Sequence, residues 1–173
     1  MIGRAQPRDG SPADTLFLDR DGVINEKIDG YVKTYSEFKF IDGVLESLKH
    51  LSEYFKKIII VTNQQGIGKK IMTSDDLDRL HNSMINEINS FGGRIDKIYY
   101  CPCLESENCA CRKPNSGMLL DAKNDFPLIS FNHSILIGDS ETDIIAGKNV
   151  GVKSIKVSPE YSLSDWTRDF LLK

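Results

Sequence analysis

The chain has 173 residues, 40% of them hydrophobic and 27% charged, and a formal net charge of −3. That length suits one domain with a full core. The charge leaves no electrostatic footprint for nucleic acid or an acidic membrane surface, and no apolar run approaches the roughly 20 residues that span a bilayer.

Residues 1–13 carry Gly3, Pro7, Gly10, Ser11 and Pro12 and show no periodicity, so a flexible lead-in is expected, with a single domain over 14–173. They lack the apolar core of a secretory signal, and a cytoplasmic location is expected. Thr15 to Leu18 reads as a buried strand that delivers Asp19 and Asp21 to its carboxyl end, the edge where open α/β sheets bind ligands. Strand alternation predicts Asp19 and Asp21 on one face and Arg20 pointing away. Two carboxylates that close repel unless they share a cation or a proton, which suits a metal-dependent nucleophile beside an acid/base. Taken alone, the same residues also read as an ordinary Asx-rich turn. Residues 26–42, with Tyr31, Tyr35, Phe38 and Phe40, read as a flap over the strand end or as a surface connection.

An amphipathic helix is expected over 43–55, its stripe being Val44, Leu45, Leu48, Leu51 and Phe55. A continuously apolar strand follows at 57–62, ending in Thr62-Asn63-Gln64-Gln65-Gly66-Ile67-Gly68. Thr73 or Ser74 then caps a helix that runs to about residue 91, with Leu77, Leu80, Met84, Ile88 and Phe91 as its core stripe. His50 and His81 read as surface or boundary residues of these helices. A third strand over 95–100 leads into Cys101, Cys103, Cys109 and Cys111, then Arg112-Lys113-Pro114 and a helix capped by Ser116. A fourth strand, 134–137, ends at Gly138-Asp139-Ser140-Glu141-Thr142-Asp143 and is followed by a short helix over 143–149. A fifth strand, 153–157, precedes a last amphipathic segment with Leu163, Trp166, Phe170 and Leu171. This alternation predicts an α/β fold: a three-layer, Rossmann-like parallel sheet with helices on both faces.

Four polar groups thus come to strand ends or the loop beside them: Asp19/Asp21, Thr62/Asn63, Arg112/Lys113 and Asp139/Asp143. They supply a carboxylate nucleophile, a second acid, hydroxyl and amide donors, a cation and further carboxylates. That is a set for phosphoryl transfer, and a hard cation among oxygen ligands is expected to be Mg²⁺.

Asp-x-Asp-Gly, Thr-Asn, Arg-Lys-Pro and Gly-Asp-x-x-x-Asp, in that order, resemble the haloacid dehalogenase (HAD) superfamily of phosphatases over about residues 14–157. The resemblance implies a HAD-like domain with a minimal cap, a small phosphorylated substrate and a monomer. It implies that Asp19 is the nucleophile that forms an aspartyl-phosphate and that Asp21 protonates the leaving oxygen and then activates water. Thr62 and Lys113 would hold the phosphoryl group, with Asn63 and Arg112 assisting. Mg²⁺ would sit on Asp19, the main-chain carbonyl of Asp21, and Asp139, with Asp143 near the metal or Lys113.

The four cysteines provide enough thiolates for a closed tetrahedral zinc site, which would be structural and would shape the loop that presents Arg112 and Lys113. Free thiols or two disulfides are the alternatives. Within the superfamily this loop resembles the D-glycero-D-manno-heptose 1,7-bisphosphate 7-phosphatases of lipopolysaccharide and S-layer heptose synthesis, and the histidinol-phosphate phosphatases. Both usually carry histidine as the second ligand, where this chain has Cys103. Gly30-Tyr31-Val32, Phe38 to Val44 and Arg112 to Leu119 look more like the heptose group. In place of that group's Arg-Gly stands Lys69-Lys70, which keeps cationic reach toward a second phosphate, and in place of its lysine stands Ser140. A receiver-like phospho-accepting domain and a zinc-stabilised binding module are the readings from other classes. Receivers, however, phosphorylate an aspartate on a later strand.

Overall fold

A computed structural model describes residues 14–172; the lead-in expected over 1–13 lies outside the described residues. Five parallel strands, β1 (Thr15–Leu18), β2 (Lys57–Asn63), β3 (Lys97–Cys101), β4 (Ile135–Gly138) and β5 (Lys153–Lys156), form one sheet in the order β3-β2-β1-β4-β5. Five helices separate or follow them: α1 (Val44–Tyr54), α2 (Ser74–Ser90), α3 (Gly117–Asp125), α4 (Glu141–Asn149) and α5 (Leu163–Leu171). This is the three-layer α/β arrangement expected from the alternation of apolar runs. No helix among the described residues is long and apolar enough to cross a membrane.

Side-chain alternation along the strands divides the core in two. Leu16, Leu18, Ile58, Ile60, Ile135 and Ile137 pack with residues of α1, α2 and α5, including Leu48, Met84 and Trp166. Phe17, Ile59, Val61 and Leu136 face the other way, toward Met118 and Leu119 of α3 and Ala146 of α4. Each fully buried large apolar side chain contributes about 1.5–3 kcal/mol, so the central strands are held from both faces.

The order of strands switches at β1: β2 and β3 are added on one side, β4 and β5 on the other, all parallel. Such a switch point opens a crevice at the carboxyl ends of the strands. Asp19 follows β1 and Asp139 follows β4, so the two carboxylates come to adjacent strand ends.

Several boundaries differ from expectation for local reasons. Strand β3 begins at Lys97 rather than residue 95, because the Asp96 carboxylate accepts from Ile58 N and Arg94 Nε. Helix α4 begins at Glu141 rather than 143, because Asp143 Oδ2 accepts from the main chain and hydroxyl of Ser140, closing the N-terminus two residues earlier. Helix α2 is capped by Thr73, whose hydroxyl accepts from Asp76 N. Ser116 precedes α3, but its hydroxyl donates to Ala146 O instead of capping.

Candidate active site

Asp19 is buried at the end of β1, its main-chain amide still bonded to Ile137 O of β4 at 2.9 Å. Lys113 Nζ lies 2.9 Å from Asp19 Oδ1, 2.5 Å from Asp143 Oδ1 and 2.7 Å from Val61 O. One buried ammonium thus ties β1, β2 and α4 together. Asn63 holds Lys113 in place: its Oδ1 accepts from Lys113 N and its Nδ2 donates to Lys113 O, both at 3.0 Å. Asp143 stands on Lys113 and on the start of α4, so both its oxygens are engaged.

Beyond Asp19 the chain leaves the strand. Arg20 O accepts from the amides of Val23, Ile24 and Asn25, which closes a turn. Gly22 sits there at φ 83°, and a Cβ on it would overlap Asp139 Oδ2. The turn overrides strand alternation, and Arg20 does not point away from Asp21. Its Nη2 donates to Asp21 Oδ1 at 2.8 Å. Asn25 Nδ2 donates to the same oxygen, and Gln64 Nε2 donates to Oδ2, each at 2.9 Å. Gln64 Nε2 also reaches Thr62 Oγ1, which is buried beneath the site.

Burial pushes the Asp19 carboxyl up to about 7, with Asp143 and Asp21 adding to the push and Lys113 opposing it. Asp21 behaves in the opposite sense: burial would raise it, but the Arg20 charge and three hydrogen bonds outweigh burial and hold it below the usual carboxylate range. Burial works to lower Lys113, and the two aspartates outweigh that and hold its ammonium above the ordinary lysine value.

A cleft of ≈ 230 Å³ opens over these groups, lined by Asp19, Asp21, Lys113 and Asp139 on its floor and by Lys27, Tyr31 and other flap residues above. The stretch 26–42 is therefore a flap over the site, anchored by Glu26 N to Lys39 O and Ile41 N to Ile24 O. Tyr31 OH accepts from Gln65 Nε2 at 3.0 Å, and Lys69 Nζ lies 5.3 Å from the Tyr31 ring centroid. Gln65 Oε1 accepts from Glu105 N, so the flap, the loop after β2 and the cysteine loop meet there. A Cβ on Gly68 would lie 2.6 Å from Pro102 O, so this crossing admits only glycine at that position.

Two side-chain sets can hold metals. Asp19, Asp139 and Asp143 bring carboxylate oxygens within 4.8 Å of one another, and Asp139 Oδ1 is buried without a hydrogen-bond partner. With Asp143 engaged by Lys113 and Ser140, the oxygens left for a hard divalent cation are those of Asp19 and Asp139. Asp139 Oδ2 pairs with Lys27 of the flap. The four cysteines also converge, joined as disulfides Cys101–Cys111 and Cys103–Cys109 rather than standing as four thiolates. Cys103 Sγ and Cys111 Sγ of the two pairs are 3.9 Å apart, which matches the sulfur spacing of a zinc tetrahedron with bonds of about 2.3 Å. The four sulfurs therefore fit zinc once both disulfides are reduced to thiolates.

Asp19, Asp21, Asn63, Lys113 and Asp139 come together in the cleft. Thr62 lies below it, and Arg112 turns its Nη1 to Cys103 O at 3.2 Å, bracing the cysteine loop. Sequence reasoning did not single out Lys27, Gln64 or the Arg20–His81 contact at 3.1 Å. Only His81 left a trace, its four-residue spacing from Leu77 on the buried face of α2.

Residues 15–168 match the protein family described as polynucleotide kinase 3 phosphatase. A D-glycero-alpha-D-manno-heptose-1,7-bisphosphate 7-phosphatase from Campylobacter jejuni is 42% identical over 157 residues, covering 90% of this chain and 88% of that one. A D-glycero-beta-D-manno-heptose-1,7-bisphosphate 7-phosphatase from Helicobacter pylori is 40% identical over 141 residues, covering 80% of each. Among solved structures, a D,D-heptose 1,7-bisphosphate phosphatase from B. bronchiseptica, complexed with magnesium and phosphate, superposes with a TM-score of 0.78 at 24% identity. The match covers 91% of this chain and 98% of that one, and it shows a shared fold.

Proposed function

The chain belongs to the polynucleotide kinase 3 phosphatase family, and on that basis we propose that this phosphatase hydrolyses D-glycero-D-manno-heptose 1,7-bisphosphate at the 7-phosphate. The observation that carries the chemistry is one buried carboxylate, Asp19, held by one buried ammonium, Lys113, beside the unpartnered Asp139 Oδ1.

In this reading Asp19 attacks phosphorus through Oδ2, since Oδ1 is held by Lys113. The bond from phosphorus to the sugar oxygen breaks, and Asp21 in its acid form gives that oxygen a proton. Asp21 is held low before substrate arrives, and the incoming phosphate dianion raises it toward the acid form. A water then attacks the aspartyl-phosphate while the Asp21 carboxylate takes its proton, which releases inorganic phosphate and restores Asp19. Lys113 neutralises the phosphoryl oxygens, with Asn63 and Arg112 holding its loop. Asp19, Asp139 and the main-chain carbonyl of Asp21 would hold Mg²⁺, which supplies further charge neutralisation when bound. At the rim, Lys69 and Arg112, both near Tyr31, offer cations to the second phosphate.

The cysteine loop, in this reading, carries structural zinc on Cys101, Cys103, Cys109 and Cys111 in the reducing cytoplasm. Protein purified under reductant should contain one zinc per chain by elemental analysis, and a metal-free protein with two disulfides would overturn this assignment.

The deciding measurement is phosphate release with Mg²⁺ from both anomers of the heptose bisphosphate, from histidinol phosphate and from a 3′-phosphorylated oligonucleotide. The heptose should lead by two decades or more in kcat/KM, a ratio that reports differential transition-state binding. A lead for either other substrate overturns the substrate and leaves the hydrolysis standing.

A further inference from the structure

Among the described residues Arg20 is the largest fully buried side chain, and it takes no part in the steps above. A guanidinium carries only donors, and burying one is costly unless it is partnered. Nη2 meets Asp21 Oδ1 at 2.8 Å, Nη1 meets His81 Nε2 at 3.1 Å, and Nε is buried without a partner. Arg20 has nothing to accept with, so His81 Nε2 accepts and its ring proton sits on Nδ1. Burial and the Arg20 charge push His81 down to about 3, which keeps the ring a neutral acceptor at working pH. The ring is held edge-on to Tyr100 with centroids 6.5 Å apart. A path of contacts therefore runs from β3 through α2 to the turn that carries Asp21.

The load on the two Asp21 oxygens is unequal. Oδ1 accepts from Arg20 and Asn25, and Oδ2 accepts from Gln64 alone. Two donors fill the in-plane positions of Oδ1, so Oδ2 is the oxygen with room for a proton.

We propose that Arg20 and His81 are positioning residues for the acid/base Asp21: His81 fixes the guanidinium, the guanidinium fixes Oδ1, and Oδ2 is left to carry the proton. This rests on the phosphatase reading. It differs from a plain core ion pair, which would affect stability alone.

The test separates the two by leaving group. p-Nitrophenolate departs without a proton, whereas the sugar oxygen needs one. In His81→Leu, the first turnover of the heptose bisphosphate should slow by about tenfold, part of the roughly 10²–10⁴-fold that acid–base catalysis supplies. The rate of the p-nitrophenolate burst, and the Kd that its dependence on substrate concentration gives, should each stay within about twofold of the unaltered protein. His81→Gln, whose side-chain oxygen can accept from Arg20, should recover most of the loss. Arg20→Lys keeps the buried charge but not the fork, and it should repeat the leaving-group pattern if His81→Leu does not fold. Equal slowing with both esters, or a lowered melting temperature with unchanged rates, overturns the proposal. Failure of the unaltered protein to turn over either ester overturns the phosphatase reading instead.

Discussion

The floor of the cleft and its rim are built on different terms. On the floor, Asp19, Asp143 and Lys113 are each 8% exposed or less, and Lys113 Nζ alone makes three contacts to three separate elements. On the rim, Lys27, Tyr31, Gln65 and Lys69 come from loops, and single side-chain bonds such as Gln65 to Tyr31 join them. A buried charge network is rigid because losing any partner strands the others in a low-dielectric interior. A rim of solvated lysines can move without that penalty. Chemistry that needs fixed geometry sits on the first, and substrate choice, which tolerates exchange of loops, sits on the second.

That contrast is sharpened most by Asp19→Asn. An amide is a poor nucleophile, so steady-state phosphate release should fall by about 10⁴-fold or more on every monoester. The fold should persist, because Asp143 and Val61 O still hold Lys113. Full activity in this variant would remove the floor from the mechanism altogether.

Lys69→Ala probes the rim. Its Nζ lies over Tyr31, and the hydrogen bond and charge it offers hold the phenol below its ordinary value, with Gln65 assisting. Loss of this cation should raise KM for the heptose bisphosphate about tenfold, since a charge-assisted contact is worth roughly 1.5–3 kcal/mol and an exposed one less. The kcat, and the kinetics of a substrate with one phosphate, should change less than about twofold. A matching fall in kcat would show that rim and floor are not separable.

The same contrast explains what was legible beforehand. Strands β1, β2 and β4 are continuous apolar runs, and each hands a polar group to the same sheet edge, so the floor follows from local pattern and chain order. The rim is closed by bonds between residues far apart in sequence, such as Gln65 with Tyr31, 34 residues away, and no local period reports them. Arg20 was misread because strand alternation was carried past Leu18 into a turn held by Arg20 O. Asp143 was legible as a polar residue near Lys113 but not as the N-terminal lock of α4. The cysteines were legible as a cluster, while their crosswise connection depends on how the loop folds back.

The smallest expected effect concerns how far the rigidity of the floor extends. His81 is 5% exposed and held down to about 3, below the unfolded value of about 6.5. Its folded value lies below its unfolded one, so the unfolded chain binds a proton that the native chain refuses. Stability from this group is therefore full above about pH 6.5 and declines as pH falls toward 3. Between pH 6.5 and 5.5 the decline amounts to about 1 kcal/mol. Asp19, raised to about 7, takes up a proton in the native state over the same range and works in the opposite sense, so the informative quantity is a difference. Urea unfolding of the unaltered protein and of His81→Gln should diverge by about 1 kcal/mol across that pH step, with the glutamine variant less sensitive to acid. Parallel pH profiles would mean that His81 titrates as a solvated ring, and the support beneath Asp21 would then end at Arg20 rather than continue into α2.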